Sequence, residues 1–176
     1  VYNNNLALAD SGTPPLEVFN RLTTGGDALT PIKAQYFIDN FQVIETSFDN
    51  GSGYAGMLVK DINTNQYWFV NRGAQLSSPS DIGADIGIAF TGQASGQIAD
   101  MVKFYNKLTT DGSLPTGALL DVAGHSLGGH LTTWFTLVNS GAGKEGYTYN
   151  GAGVNNLPGT TQDASNCFSQ LSESRT

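Results

Sequence analysis

Leu119-Leu120-Asp121-Val122-Ala123-Gly124-His125-Ser126-Leu127-Gly128-Gly129-His130-Leu131 is the stretch on which the reading of this chain turns. Leu119 to Ala123 is a short apolar run, read as a buried strand. Leu127 to Asn139 sets Leu131, Trp134, Phe135 and Val138 at i, i+3, i+4 and i+7, which is one face of a helix. Between strand and helix stands G-x-S-x-G, at Gly124, Ser126 and Gly128, with a further Gly129 behind it. A strand that turns directly into a helix brings the two backbones together two residues before and two after the serine. A Cβ at Gly124 or Gly128 would collide there. Such an elbow lifts the Ser126 hydroxyl above the strand ends, where a substrate carbonyl can reach it. The Leu127 amide, at the positive end of the helix, then points to where negative charge develops on that carbonyl oxygen. The competing reading is a glycine-rich turn whose serine merely caps the helix.

Working outward, the pattern after Ser126 continues through Gly146 to Asn150, a further strand. A strand-helix-strand order implies a parallel pair joined by a crossover. Before the elbow, Ser95 to Leu108 places Ile98, Met101, Val102 and Tyr105 on one helical face, and Thr109-Thr110-Asp111-Gly112 ends it. Earlier still, Val43 to Phe48, Tyr54 to Lys60 and Gln66 to Asn71 read as three strands of an antiparallel meander. They are separated by the turns Asp49-Asn50-Gly51-Ser52-Gly53 and Ile62-Asn63-Thr64-Asn65. Residues 1–42 read as a helical N-terminal extension: one segment opens at Pro14-Pro15 and carries Leu16, Phe19 and Leu22. A second has Thr30 as N-cap and Pro31 at the first helical position, with Ala34, Phe37, Ile38 and Phe41 on one face. Between the meander and the long helix, only Asp81 to Phe90 of a Gly/Ser/Ala-rich stretch reads as helical. The tail after Gly151 is irregular, with a helical turn at Cys167 to Leu171.

Composition excludes several classes. The chain has 176 residues, a formal net charge of -7 and 13% charged residues, against a globular average of about 25%. Gly is abundant at 22, yet 39% of residues are hydrophobic and 10% aromatic, which is not the make-up of a disordered chain. A lone Cys167 builds no disulfide framework and is read as inert. No apolar run approaches the roughly 18 residues of a membrane span. Eight cations scattered along the chain provide no basic face, so nucleic acid is not an expected partner. The expectation is one soluble α/β domain over residues 1–176. No leader segment is visible at Val1-Tyr2-Asn3-Asn4-Asn5, and the low Lys content leans weakly toward an exported bacterial protein.

The string GHSLGGHL resembles the nucleophile motif of lipases, and residues 43–155 resemble the class 3 lipase branch of the α/β-hydrolases. Trp68-Phe69-Val70-Asn71-Arg72-Gly73-Ala74 is similar to that family's strand ending in R-G-T or R-G-S. Asp81-Ile82-Gly83-Ala84-Asp85-Ile86 is similar to its D/N-W-x-x-D segment, and Tyr147-Thr148-Tyr149-Asn150-Gly151-Ala152-Gly153 to its next strand. The resemblance implies an α/β-hydrolase fold and carboxylic ester hydrolysis of lipase or phospholipase type. Ser126 would be the nucleophile, Leu127 N–H one oxyanion donor and Ala74 N–H the second, with Asp85 bracing the loop. Gly124, His125, Gly128 and Gly129 complete the elbow. Ala74 stands where the family has Ser or Thr, so the amide is retained and the supporting hydroxyl is lost. No cofactor or metal is implied. The expected substrate is a lipid or other ester, reached through transient contact with a lipid surface, and Ala74 to Gly96 is where a lid would lie.

A serine nucleophile needs a base, and the base an orienting carboxylate. The chain contains two histidines. His125 precedes the nucleophile and is expected to point away from it, while His130 directs its ring along the helix. In the resembled family the acid and the histidine come from strands beyond the equivalent of Gly153, and Asp163, in the context TTQDAS, does not match the acid motif. The expectation is therefore the N-terminal two-thirds of a hydrolase. The base would come from further sequence or a C-terminal partner chain, and the open sheet edge would favour pairing or self-association. The alternatives are a catalytically silent binding or effector module that kept the elbow as scaffold, and an acyltransferase.

Three other signals carry less. Asp61 to Gln66 imitates half of a calcium loop, but Gln66 replaces the required glycine and Arg72 the closing glutamate, so a hairpin turn is expected. Gly141-Ala142-Gly143-Lys144 imitates a phosphate loop with Glu145 where Ser or Thr belongs, and is read as a helix C-terminal turn. Tyr67, Trp68 and Phe69, like Met57 and Met101, are expected in the core.

Overall fold

β-branched and aromatic residues concentrate in short runs, and each run forms a strand beside the run before it. In the computed structural model, which describes residues 4–25, 28–47, 52–73, 93–139 and 143–151, the strands are β1 (Phe41–Ser47), β2 (Gly56–Asp61), β3 (Tyr67–Asn71), β4 (Leu120–His125) and β5 (Gly143–Tyr149). They lie in the order β1-β2-β3-β4-β5. β1, β2 and β3 pair antiparallel, and β3-β4 and β4-β5 pair parallel. The expected meander thus runs into the expected parallel sheet, and the fold class is α/β, hydrolase-like.

The β2–β3 hairpin shows why its turn folds as it does. One oxygen of the Asp61 carboxylate accepts the amides of Asn63 (2.8 Å) and Thr64 (3.0 Å), and Asn65 takes φ 60°. The Thr64 amide first, then that of Asn63, stabilises the ionised form and lowers the Asp61 pKa below 3.8. Asn and Asp favour this local bonding, and the expected hairpin turn is what forms.

Alternation along the strands divides the core in two. Leu58, Phe69, Leu120 and Val122 face one side, packed by α3 (Gln93–Thr110) through Met101, Val102 and Leu108, and by α4 (Leu127–Val138) through Leu131, Trp134 and Phe135. Met57, Val59 and Val70 face the other side, packed by a 3-10 turn (Asn4–Leu6), by α1 (Pro15–Leu22) through Val18 and Leu22, and by α2 (Pro31–Asn40) through Ala34. Met57, Met101 and Phe69 are core as expected, while Tyr67 and Trp68 are half-buried.

Several boundaries differ from the expectations. Phe41 does not close the face of α2. Paired with Asp61, it adopts φ -132° and opens β1, its ring stacked on Phe37 at 5.6 Å. Thr30 occupies the N-cap position without a side-chain cap bond, leaving Pro31 to start the helix. α3 starts at Gln93, two residues before the expected Ser95, so Gln93 to Gly96 form its first turn. It also runs through Thr109 and Thr110, with the break at Gly112, φ 81°. Gly143 and Lys144 belong to β5, because Gly143 pairs with Leu120, so they are not a helix C-terminal turn. Residues 49–51, Asp81 to Phe90, 141–142 and everything after Gly151, Cys167 included, lie outside the described residues.

Candidate active site

β4 ends at His125 and α4 begins at Leu127, so Ser126 alone turns the chain. It does so at φ 55°, ψ -121°, a conformation that costs a non-glycine residue about 1–3 kcal/mol. The main chain is pinned on both sides of that strain. The Ser126 amide donates to Tyr149 O at 3.0 Å, and Ser126 O accepts the amides of Gly129 (2.9 Å) and His130 (3.2 Å). The side chain, by contrast, makes no capping bond to α4. A serine kept for capping would adopt extended φ and bond the helix amides, so the helix-cap alternative is not what the geometry provides. Ser126 is half-buried, at the C-terminal end of β4.

The glycines are close-approach residues. A Cβ on Gly124 would land on the carbonyl of Gly128, as anticipated from the elbow itself. One on Gly128 would land on Asn71 O and stand 2.8 Å from the carbonyl of Arg72, so this glycine answers to β3, a neighbour the motif does not reveal. A Cβ on Gly129 would meet Gly151 Cα at 2.7 Å, where the chain leaves β5. Gly73, the last described residue after β3, has no room either: a Cβ there would lie 2.7 Å from His125 O and 3.5 Å from Ser126 Cβ. The Arg72-Gly73 segment therefore rests directly on the serine turn. Leu127, first residue of α4, carries one of the amides that no preceding turn can satisfy, with the helix dipole behind it.

Beneath the turn lies a set of buried polar side chains that the sequence reading did not single out. Asn71 is 1% exposed; its Oδ1 accepts the Tyr54 hydroxyl at 3.0 Å, and its Nδ2 donates to Thr132 Oγ1, on α4, at 3.4 Å. Tyr54 reaches in because residue 56 is glycine: a Cβ there would fall on its hydroxyl. The Arg72 guanidinium donates to Gly53 O at 2.8 Å, and its amide to Ala55 O at 2.9 Å. A polar residue closing an apolar strand, as Asn71 does after Val70, was the available signal.

His125 is exposed at the end of β4, and His130 is wholly enclosed within α4's packed side. Ala74, Asp85 and Asp163 lie outside the described residues. Among the described residues, no group of three or more His, Cys, Asp or Glu is arranged to hold a metal ion.

A mixed sheet with helices on both faces thus carries a strained serine between a parallel strand and its helix, in an α/β architecture. A family model described as a domain of unknown function (DUF6792) matches residues 33–165, and the chain belongs to that family. No curated protein matches it. Among solved structures it is similar to the Lip2 lipase from Yarrowia lipolytica, with TM-score 0.45 and 20% identity over 60% of this chain and 42% of that one. It is also similar to a lipase from Rhizopus microsporus var. chinensis, with TM-score 0.45 and 15% identity over 82% of this chain and 54% of that one. The chain spans about half the length of the lipase chains it matches.

Proposed function

We propose that this domain is the nucleophile-bearing part of a serine hydrolase of carboxylic esters, of lipase or phospholipase type. The observation that carries the reading is Ser126 itself: a non-glycine residue held at φ 55° by main-chain bonds, with its hydroxyl uncommitted to the helix cap. Ser126 Oγ attacks the ester carbonyl, its proton passes to a base, the alcohol leaves with a proton, and water then releases the acid from the acyl-enzyme. Leu127 N–H and Ala74 N–H hold the tetrahedral oxyanion. The base in this reading is a histidine from outside residues 1–176, because enclosed His130 cannot pass a proton to a departing alcohol and His125 sits on the strand before the turn. Its strand, or a partner chain, would add at β5, the last strand of the sheet. Lipid esters presented at a surface are the proposed substrates.

A non-catalytic module that keeps the elbow as scaffold is the second reading, favoured by the enclosure of His130. Intact mass after incubation with an activated fluorophosphonate decides between the two, with Ser126→Ala as control. A single adduct on the wild type alone supports the hydrolase. No adduct on the 176-residue chain, nor on the chain continued at its C-terminus, overturns it. Product analysis with an alcohol acceptor separates hydrolysis from acyl transfer.

A further inference from the structure

We propose that Asn71 is a positioning residue for the serine turn: its side chain and main chain together set where α4 begins relative to the end of β3. The proposal rests on Ser126 being the nucleophile, and its structural half can be read without catalysis.

Gly128 and Thr132 are one helical turn apart, on the same side of α4. Asn71 meets both. Its carbonyl occupies the space a Gly128 Cβ would need, and its amide nitrogen bonds the Thr132 hydroxyl at 3.4 Å. The first contact is a steric stop and only prevents α4 from moving closer. The second is directional and prevents it from sliding along its axis or lifting away. The other end of the Asn71 amide is held by the Tyr54 hydroxyl at 3.0 Å, so turning the amide away from Thr132 breaks that buried bond as well. All three residues are at most 1% exposed.

The consequence reaches the reacting atoms along both segments. From Asn71 the chain runs by Arg72 to Gly73, which rests on His125 O and Ser126 Cβ. From Thr132 the helix runs back to Leu127, whose amide is one proposed oxyanion donor. The tether thus joins the strand end that precedes Ala74 to the helix that carries Leu127. The tether therefore holds the Leu127 amide in register with Gly73 and the serine turn. Oxyanion donors must be placed to within a fraction of an ångström to act together.

The test uses the full chain with two substitutions at one site. Thr132→Val keeps the branched shape and removes the hydroxyl; Thr132→Ser keeps the hydroxyl and removes a buried methyl. If Asn71 positions the turn, Thr132→Val shifts the amide resonances and speeds the hydrogen exchange of Gly73, Leu127 and Gly128, and slows fluorophosphonate labelling of Ser126 about tenfold or more. Thr132→Ser leaves all of these near wild type although the loss of its methyl lowers the melting temperature. Leu137→Ala, on the exposed side of α4, is the control that changes neither. Thr132→Ser perturbing the three amides as much as Thr132→Val would overturn the proposal, since packing alone would then account for the site. Should neither the 176-residue chain nor the chain continued at its C-terminus label, the esterase reading fails separately, and the amide signature still decides whether the tether exists.

Discussion

A Cβ on Gly128 would fall on the main-chain oxygen of Asn71, so the first turn of α4 and the end of β3 touch backbone to backbone. Nothing at that contact is a flexible side chain that could swing aside. Gly128→Ala is therefore expected to cost about 3 kcal/mol, the upper end of what overpacking usually costs. Gly112→Ala meets nothing within 4 Å but must hold φ 81°, and should cost only about 1 kcal/mol. Urea midpoints of the two variants check the order. Equal losses would mean that α4 can shift away from β3 at little cost.

Ser126 carries strain that glycine would not. At φ 55°, ψ -121° a residue without Cβ is unhindered. Ser126→Gly should be more stable than Ser126→Ala by about 1 kcal/mol, although both lack the nucleophile. Thermal unfolding of the pair measures it. An alanine variant as stable as the glycine one would show that the turn is not held against a backbone preference.

Phe135 anchors α4 to the sheet. It has no exposed surface, and its ring lies 5.3 Å from that of Phe69 on β3 and 5.1 Å from that of Tyr105 on α3. Phe135→Ala is expected to cost about 3–5 kcal/mol, read by chemical denaturation. Leu137→Ala, two residues on and 68% exposed, should stay within about 0.5 kcal/mol.

The end of α3 is tied to β1 by charge. Lys107 Nζ lies 2.7 Å from Glu45 and 2.9 Å from Asp111. Bonds from the Ser113 hydroxyl and amide, then from Lys107, bring the Asp111 carboxyl down from 3.8 to about 2. The bond to Glu45, with that to Asp111, raises Lys107 above 10.5. A carboxyl with a depressed folded value stabilises the fold above its unfolded value, and that contribution is lost as pH falls from about 4 toward 2. Lys107 contributes fully below its unfolded value and loses that contribution as pH rises beyond it. Asp111→Asn should lower the melting temperature at pH 6 and converge with wild type near pH 2. The groups are solvent-exposed, so the difference should also shrink in salt.

Tyr147 is expected to ionise late. The Glu145 carboxylate accepts its hydroxyl and, with partial burial and nearby Asp121, pushes its pKa from 10.0 up to about 12. Ultraviolet titration of Glu145→Gln should move one phenol of the seven tyrosines back toward 10. A titration curve identical to that of wild type would remove the pair.

What could be read from sequence, and what could not, divides along a physical line. Leu131, Trp134 and Phe135 announce α4, and Gly124 and Gly128 announce the turn, because helical periodicity and tight turns are local properties. Phe41 misleads because its partner Asp61 is 20 residues away, and strand pairing outweighs a helical pattern that ends just there. The reason for Gly128 was half legible: a close approach was evident, but the approaching strand was β3. The Tyr54–Asn71–Thr132 contacts join residues 17 and 61 positions apart, a separation over which no periodicity carries information.

Each strand of the sheet lies beside the one that precedes it in the chain. A polypeptide emerging from the ribosome can therefore add every strand to an edge already formed, and none has to be threaded between two that have paired. The serine turn is closed only when Tyr149 arrives to accept the Ser126 amide. Its geometry thus depends on a strand that follows it in the chain, and a polypeptide cut before β5 would lack the acceptor that holds the serine amide.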